Sequence, residues 1–531
     1  MKMVKSLILG SAAGLLAVGG AQAADLPVKA KAVEYVRICS LYGAGFYYIP
    51  GTDTCIKIGG YLRVDTTFNG GLYGQPAWNG DLGLGDRYRN SFEDRARMAL
   101  TVDTRTATEY GVVRTFGQVD LNYDVAGQSG SSAPTALASN LGANSQDAFL
   151  MGEGGGYAAV EYLFLQFAGF TFGKSSSVYS TPWHGGPGNT SSYLIGGNDT
   201  VTGTNNIQYT AQFGNGVSAS IGLDDPATYN RTSIYNLSLP NTAGVAGAGA
   251  LSVVGVGSNA YAGVNMPDVA ANIRVDQAWG LFQLSGIVHE VDASYNTLNG
   301  SGLTPADTVA PTTASVLSGH PDTKYGGAVM AALNIKNLPT GPGDDIKFDA
   351  SWSRGDTKEV IATTAASPNF LMLGGTTGQL GPANTIGFGA TTDAVYVAGG
   401  ALDLTTAYGV RGAFNHNWDP YWSSSLFGGM GWVRYDATAQ AEYCSAYAHV
   451  VAGSGVTYAC NPNYTISELG LITRWTPVKN LTFSAETMWA HFATGFSGTA
   501  TLAPGSGYAA SALTFHSQDT IEAQLRVQRN F

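Results

Sequence analysis

The sequence predicts an all-β fold, a transmembrane antiparallel β-barrel of about 16 strands. Apolar and polar residues alternate along many segments, so apolar side chains share one face and polar side chains the other. This pattern fits strands with lipid outside and water inside. Short connections alternate with long ones, as they do in such barrels. After the N-terminus no segment offers about 18 consecutive apolar residues, so helical membrane spans are not expected.

The composition limits the classes of protein to consider. Glycine makes up 71 of 531 residues, and charged residues only 12%, about half the share usual in soluble domains. A hydrophobic share of 44% argues against disorder. The net charge of −11 argues against a nucleic-acid partner. The length suits either one large barrel or several globular domains.

The N-terminus predicts a secretory signal peptide over residues 1–23. Lys2 and Lys5 precede the apolar stretch Leu7–Val18, and the small residues Ala21 and Ala23 offer a cleavage site. A transmembrane anchor is the alternative, but the apolar stretch is too short for one. Residues 24–54 are then expected to form a periplasmic N-terminal segment and residues 55–531 the barrel.

Sixteen segments carry strand patterns. Their predicted bounds are 55–68, 91–104, 110–124, 156–167, 169–174, 203–213, 216–225, 268–279, 281–292, 324–336, 345–356, 404–416, 421–435, 464–476, 479–492 and 516–531. The fourth, fifth and tenth are poorly patterned, so 14 or 18 strands remain alternatives. The last segment alternates cleanly and ends on Phe531; it should close the barrel against the strand that begins near Cys55, because an open edge cannot face lipid.

The connections between these segments fall into two classes. Short links are expected at Arg105–Glu109, Gly214–Gly216, Trp279–Gly280, Asn417–Pro420 and Thr476–Lys479. Long stretches rich in small and polar residues lie at 226–266, 293–323, 357–403, 436–463 and 493–515. Barrels of 16 to 18 strands leave an aqueous lumen, which predicts a channel.

The four cysteines form two pairs of equal spacing, Cys39 with Cys55 and Cys444 with Cys460. An even count in an exported chain suggests disulfides, and two local bridges are the prediction, with free thiols as the alternative. The first bridge would fasten the start of the first strand. The second would close a hairpin-like external loop. Neither pair has the neighbouring ligands that zinc requires.

Several segments resemble the alphaproteobacterial (rhizobial-type) general porins. The resemblance is most specific in Val33–Cys39 and Tyr42–Thr52, and it continues through Gly59–Arg63, Asp103–Thr106 and Phe167–Lys174. It implies trimeric, sixteen-stranded diffusion channels of the outer membrane. It also implies a third external loop that folds into the lumen and narrows it, and a role for the terminal Phe531 as an assembly signal.

The narrowing loop would follow Lys174 and run to about Gly203. Porin loops at this position commonly carry acids opposite wall arginines, but here Asp199 is the only acid. Trp183 and His184 stand among small polar residues instead. A strong transverse field is therefore not expected, and Lys174, Trp183 and His184 are candidate pore-lining residues.

The alternation places a set of charged residues on the lumen side of the first strands. They are Arg63, Arg95, Arg97 and Arg114, with the acids Asp65, Asp103 and Asp120. Charges in the lumen tune ion passage, so these residues are also candidate pore-lining residues. The alternative is structural, each arginine pairing with a lumen acid. Both interpretations can hold together.

The sequence is interpreted as a passive diffusion porin, not an enzyme, with no cofactor and no metal. Expected partners are outer-membrane lipid and lipopolysaccharide, two further copies of the chain, and small hydrophilic solutes and ions. Alternatives are a substrate-specific channel with a sugar-binding track and an adhesin or structural barrel. Weak ion selectivity is expected, with replacement of Arg95 and Arg97 by Gln shifting it toward cations.

Overall fold

A computed structural model describes residues 37–78, 91–125, 156–198, 202–226, 231–237, 259–296, 319–361, 369–376, 378–450, 457–502 and 511–531. The chain divides into two compact units, Met1–Ile56 and Lys57–Phe531. The predicted signal peptide at 1–23 lies outside the described residues. Within the described ranges, no helix is both long and apolar enough to span a membrane.

The first unit is held by a disulfide and a short strand pair. Strand Tyr47–Tyr48 lies antiparallel to the residues at Cys55 and Ile56, and a 3-10 helix spans Ser40–Tyr42. The bridge between Cys39 and Cys55 has a sulfur–sulfur distance of 2.01 Å, and both cysteines are buried. The predicted pairing of these cysteines is confirmed.

Sixteen antiparallel strands of the described residues form the barrel. They are β1 (Thr54–Phe68), β2 (Phe92–Thr108), β3 (Gly111–Val125), β4 (Gly156–Phe167), β5 (Phe170–Ser175), β6 (Thr204–Gly214), β7 (Val217–Asp224), β8 (Asp268–Gln277), β9 (Gly280–Val291), β10 (Lys324–Lys336), β11 (Asp345–Arg354), β12 (Thr406–Asn417), β13 (Trp422–Arg434), β14 (Tyr464–Val478), β15 (Leu481–Thr494) and β16 (Gln518–Asn530). Each pairs with its neighbour in sequence, so the predicted fold class is confirmed.

The last strand closes the barrel on the first. The register runs from Phe68 opposite Ala523 to Tyr61 opposite Asn530. Beyond it, the Phe531 N–H donates to Gly60 O at 3.0 Å. Glycine is required at position 60, where φ is +151° and a Cβ atom would lie 1.9 Å from Ala99 O. Closure pairs the strand edges that a lipid environment would otherwise leave unsatisfied.

The two faces of the strands differ as the alternation predicts. On the outward face large apolar side chains are exposed, among them Ile58, Leu100 and Leu525. On the inward face polar and charged side chains are buried, among them Asp65 and Arg95. Lipid would cover the exposed apolar face, and the inward face surrounds a polar lumen.

Some predicted boundaries are wrong because the strands are longer than the pattern suggested. β2 continues to Thr108 and β14 to Val478, so the predicted links at Arg105–Glu109 and Thr476–Lys479 are mostly strand. The weak pattern of β4 has a physical cause. The register between β3 and β4 shifts at Gln118, leaving Glu161 as an extra residue, and such a bulge interrupts strict alternation.

The long connections carry structure of their own. A five-stranded sheet contains, in order, Asn369–Leu373, Thr385–Ala390, Ser511–Phe515, Ser497–Leu502 and Thr457–Ala459. A three-stranded sheet contains Asp403–Leu404, Thr392–Tyr396 and Ser233–Asn236. A 3-10 helix spans Thr357–Glu359, and helix α1 spans Ala437–Val450. These elements belong to the long connections between barrel strands. They therefore lie at the end of the barrel opposite the short turns.

The second disulfide fastens α1. Cys444 on the helix bonds Cys460, which follows strand Thr457–Ala459, so the predicted pairing is confirmed. The prediction that this bridge closes a hairpin-like loop is wrong, because one of its cysteines lies on a helix. Buried aromatic side chains of this region, such as Phe388, Tyr447 and Phe496, share one hydrophobic cluster.

Candidate functional site

The described residues of the connection between β5 and β6 lie inside the barrel. We call these residues, 176–198 and 202–203, the lumen loop. Its first half contacts inward-facing side chains, since Asn272 Nδ2 donates to Val178 O at 2.5 Å and Gln283 Nε2 donates to Ser180 O at 2.7 Å. At its base Lys174 Nζ donates to Glu161 O at 2.9 Å and to Thr202 Oγ1 at 2.6 Å. The loop that the family resemblance implied would fold inward does so.

Carboxylates of the barrel wall hold the second half of the lumen loop. Thr190 N–H donates to Glu486 Oε2 at 2.6 Å, and Ser191 N–H donates to Glu486 Oε1 at 3.1 Å. Ile195 N–H donates to Glu468 Oε2 at 2.6 Å. We call Glu468 and Glu486, on β14 and β15, the anchor wall. A loop segment outside regular structure needs acceptors for its N–H groups, and here the wall supplies them.

The tip of the lumen loop touches the barrel backbone. Gly196 has φ of +113°, and a Cβ atom there would lie 2.5 Å from Val410 O. At Gly197 a Cβ atom would lie 2.4 Å from Asp349 Oδ1. Next to them Asn198 O accepts a hydrogen bond from Arg411 Nη1 at 3.0 Å. Two consecutive glycines therefore allow an approach that no side chain would permit.

The tip also binds the connection that follows β11. Gly196 N–H donates to Val360 O at 3.1 Å, and Asn198 Nδ2 donates to Glu359 Oε2 at 2.5 Å. Burial raises the pKa of Glu359 to about 8, because leaving water disfavours the charged form. Burial, and then the nearby Glu359 carboxyl, hold the pKa of Asp356 well above its usual value. The Glu359 carboxyl in this contact is therefore neutral near pH 7.

A second wall, which we call the arginine wall, consists of inward-facing charges on β1 to β4 and β16. Arg95 Nη2 lies 2.6 Å from Asp65 Oδ2, and Arg526 Nε lies 2.5 Å from Asp65 Oδ1. Asp65 is 1% exposed and Arg95 is 2% exposed. One carboxylate therefore binds two buried guanidinium groups.

Arg97 sits in a similar environment. Its Nη1 lies 2.7 Å from Asp120 Oδ2 and 3.5 Å from Glu161 Oε1, and its Nε donates to Asn122 Oδ1 at 2.6 Å. Arg97 is 4% exposed. The ring of Tyr73 covers this part of the wall, with its centroid 4.3 Å from the Arg95 guanidinium carbon and 5.6 Å from that of Arg97. These two arginines are thus paired and shielded.

The remaining arginines of the wall are more open. Arg114 Nη2 lies 3.0 Å from Asp103 Oδ2, and Arg105 Nη2 lies 2.9 Å from the same atom; the two arginine side chains are 28% and 29% exposed. Arg63 Nε donates to the amide Gln528 Oε1 at 2.8 Å. Among the described residues, no carboxylate oxygen lies within 4.0 Å of the Arg63 guanidinium nitrogens. The structural alternative, pairing with Asp65, Asp103 and Asp120, is therefore the observed arrangement for every candidate arginine except Arg63.

The aromatic candidates lie in the lumen loop itself. Trp183 packs against the buried cluster that contains Val178 and Met330. His184 is exposed, and its Nδ1 lies 3.3 Å from Tyr162 OH on β4. Asp199, the one acid expected in this loop, lies outside the described residues. Over the ranges the structure describes, no group of three or more His, Cys, Asp or Glu side chains is arranged to hold a metal ion.

Sequence reasoning missed several residues of this site. The alternation places three of them on the inward face of their strands, Arg526, Glu468 and Glu486. It does not predict which groups they contact. Glu161 was hidden by the bulge. Tyr73 lies in a glycine-rich connection without any periodic signal.

The sequence is similar to those of known proteins. A family model described as a porin subfamily matches residues 25–521. Porin Omp2b of Brucella abortus is 32% identical over 297 residues, which are 54% of this chain and 65% of that protein. Omp2b of Brucella canis is 33% identical over the same length. The matched part therefore spans about 65% of the length of these relatives.

A solved structure of another protein shares the fold. The outer membrane channel DcaP of Acinetobacter baumannii matches with a TM-score of 0.52 at 13% identity, covering 91% of this chain and 99% of that one. The likeness at this identity concerns the fold alone. Family membership and the barrel fold imply an outer-membrane location. Because the family model matches most of its length, the chain belongs to the porin subfamily.

Proposed function

We propose that the chain forms a passive, water-filled channel through which ions and small hydrophilic solutes diffuse across the outer membrane. The observation that carries this proposal is a sixteen-stranded barrel narrowed by a loop fixed inside it. Barrels of this size are wide enough for an aqueous lumen, and the inward face is polar. Family membership supports a channel and not an enzyme, and we propose no covalent chemistry.

The assembly and surroundings are part of the proposal. A homotrimer embedded in outer-membrane lipid and lipopolysaccharide fits the family, and the exposed apolar side chains of the outward face suit lipid contact. Export through a cleaved signal peptide over residues 1–23 remains a prediction from the sequence. Phe531, exposed at the end of the closing strand, remains the predicted assembly signal.

We further propose which candidates face the water path. Arg63, Arg114, Lys174 and His184 keep partial or full exposure, so they are expected to meet permeating ions. Arg95 and Arg97 are ion-paired and covered by Tyr73, so they are expected to act mainly on stability. Because buried pairs largely cancel their own charge, the channel should be weakly selective.

Conductance of the purified protein in planar bilayers tests the proposal. We expect stepwise, ohmic increments together with diffusion of small sugars into proteoliposomes and exclusion of large ones. The folded state is checked by heat-modifiable migration in gels. A folded barrel that conducts nothing would overturn the channel and favour the adhesin or structural alternative.

A further inference from the structure

A concavity of about 350 Å³ lies between the first half of the lumen loop and the inward face of β6 to β9; we call it the loop pocket. Hydroxyl and amide side chains dominate its lining, including Ser177, Thr181, Gln208, Thr210, Asn272 and Gln283. Such groups can donate or accept hydrogen bonds to an uncharged polar solute. Asn272 and Gln283 already donate from their amide nitrogens to the lumen loop, so they offer a solute mainly their amide oxygens. The pocket therefore offers polar contacts and little fixed charge.

Two side chains add an apolar surface and a positive charge to the loop pocket. Trp183 contributes the apolar surface of its indole, held in place by packing against Val178 and its cluster. Arg274 contributes the one guanidinium group among the described lining residues, which include no carboxylate. The acid that pairs with Arg274, Asp276 at 3.1 Å, is not among the lining residues. The described lining thus offers one guanidinium group and no carboxylate to a solute.

A second concavity provides an internal comparison. It also measures about 350 Å³, and it lies between the lumen loop and residues of β11 to β14; we call it the turn pocket. Asp345 lines it together with Lys347 and Arg474, and its described lining contains no Trp, Tyr or Phe. The two pockets share size and loop but differ in aromatic surface and acid content.

We propose that the loop pocket is a low-affinity binding site for small polyhydroxylated solutes of sugar size, either neutral or singly anionic. Sugar rings present an apolar face bordered by hydroxyl groups, which matches an indole surface surrounded by hydroxyl and amide side chains. The guanidinium of Arg274 adds attraction for a carboxylate on such a solute. This proposal rests on the proposed channel function and names a solute class for it.

Current blockade in planar bilayers tests the site in the full-length protein. Glucose, sucrose or gluconate is added to one side, and we expect a saturable decrease in single-channel current. Trp183→Ala should raise the half-blocking concentration about tenfold for all three solutes. A loss of binding of this size is in the range of one aromatic contact. Trp183→Phe should retain most of the blockade. Arg274→Gln should weaken the blockade by gluconate and leave the blockade by glucose and sucrose unchanged.

Asn417→Ala in the turn pocket is the matched control and should leave the blockade unchanged. Linear, unsaturated changes in current that follow only solution viscosity would overturn the binding site while leaving the channel intact. Equal effects of Asn417→Ala and Trp183→Ala would also overturn it. Absence of any conductance from the folded wild-type barrel would instead overturn the channel itself.

Discussion

The arginine wall and the anchor wall face the same lumen, but their carboxylates serve different purposes. On the arginine wall, Asp65 binds Arg95 and Arg526, so charge is balanced within the barrel. On the anchor wall, Glu486 binds backbone N–H groups of the lumen loop. The difference arises from what lies opposite each carboxylate. It also explains how a constriction loop with almost no acid of its own can be fixed in place.

The largest effect is expected at the centre of the arginine wall. Asp65→Ala leaves two buried guanidinium groups without their carboxylate, which should lower the free energy of unfolding by about 3–5 kcal/mol. Denaturant unfolding in detergent measures this change. Asp103→Ala is the control, because its partners Arg105 and Arg114 are partly exposed and such pairs contribute about 0–1 kcal/mol. If both variants lose the same free energy of unfolding, the difference in burial between the ion pairs of Asp65 and those of Asp103 does not affect their contribution to stability.

On the anchor wall we expect a smaller loss of stability and a change in the channel. Glu486→Leu removes the acceptor of the Thr190 and Ser191 N–H groups, of which only the Ser191 contact is fully buried. Leaving that buried donor unpaired should cost about 1–3 kcal/mol. The loosened lumen loop should increase single-channel conductance and open-channel noise. Glu486→Gln keeps one carbonyl oxygen and should lie between wild type and Leu. A folded Glu486→Leu channel with wild-type current would refute anchoring by this carboxylate.

The stability that the loop gains from the contact between its tip and Glu359 should depend on pH. Glu359 holds its proton to about pH 8 in the folded protein but loses it near pH 4.5 when unfolded. Since the folded state then binds more protons, the contribution of Glu359 to stability falls as pH rises from about 4.5 to 8 and is constant above. Thermal stability of wild type minus Glu359→Gln, measured from pH 5 to 9, should show this decline. A difference that stays flat over that range would contradict a buried, protonated carboxyl.

The smallest effect concerns ion selectivity and sharpens the contrast between shielded and open arginines. Arg63→Gln should shift the reversal potential in a salt gradient toward cations, because no described carboxylate lies close enough to balance Arg63. The double change of Arg95 and Arg97 to Gln should also shift it toward cations, but less per charge removed, because Tyr73 covers both. A wild-type potential in the double variant would mark these arginines as purely structural. If the shift of the reversal potential per charge removed is larger in the double variant than in Arg63→Gln, then Arg95 and Arg97, and not Arg63, are the arginines that face permeating ions.

Much of the barrel was predictable because strand patterns are local. All 16 predicted segments correspond to strands, since an alternation of apolar and polar residues reports directly on two faces. The prediction was weakest at β4, where the bulge at Glu161 breaks the alternation. The two disulfides were also predictable, because each joins cysteines only 16 residues apart.

The sequence by itself determined the strands, their lipid-facing and lumen-facing sides and the local disulfides. Only the tertiary structure decided which charges pair and where the lumen loop lies. Asp65 and Arg526 are 461 residues apart, and they meet because the last strand closes on the first in one register. Glu486 meets Thr190 across the lumen, 296 residues away. Alternation fixes the direction of a side chain, whereas barrel closure and the path of the loop fix what that side chain meets.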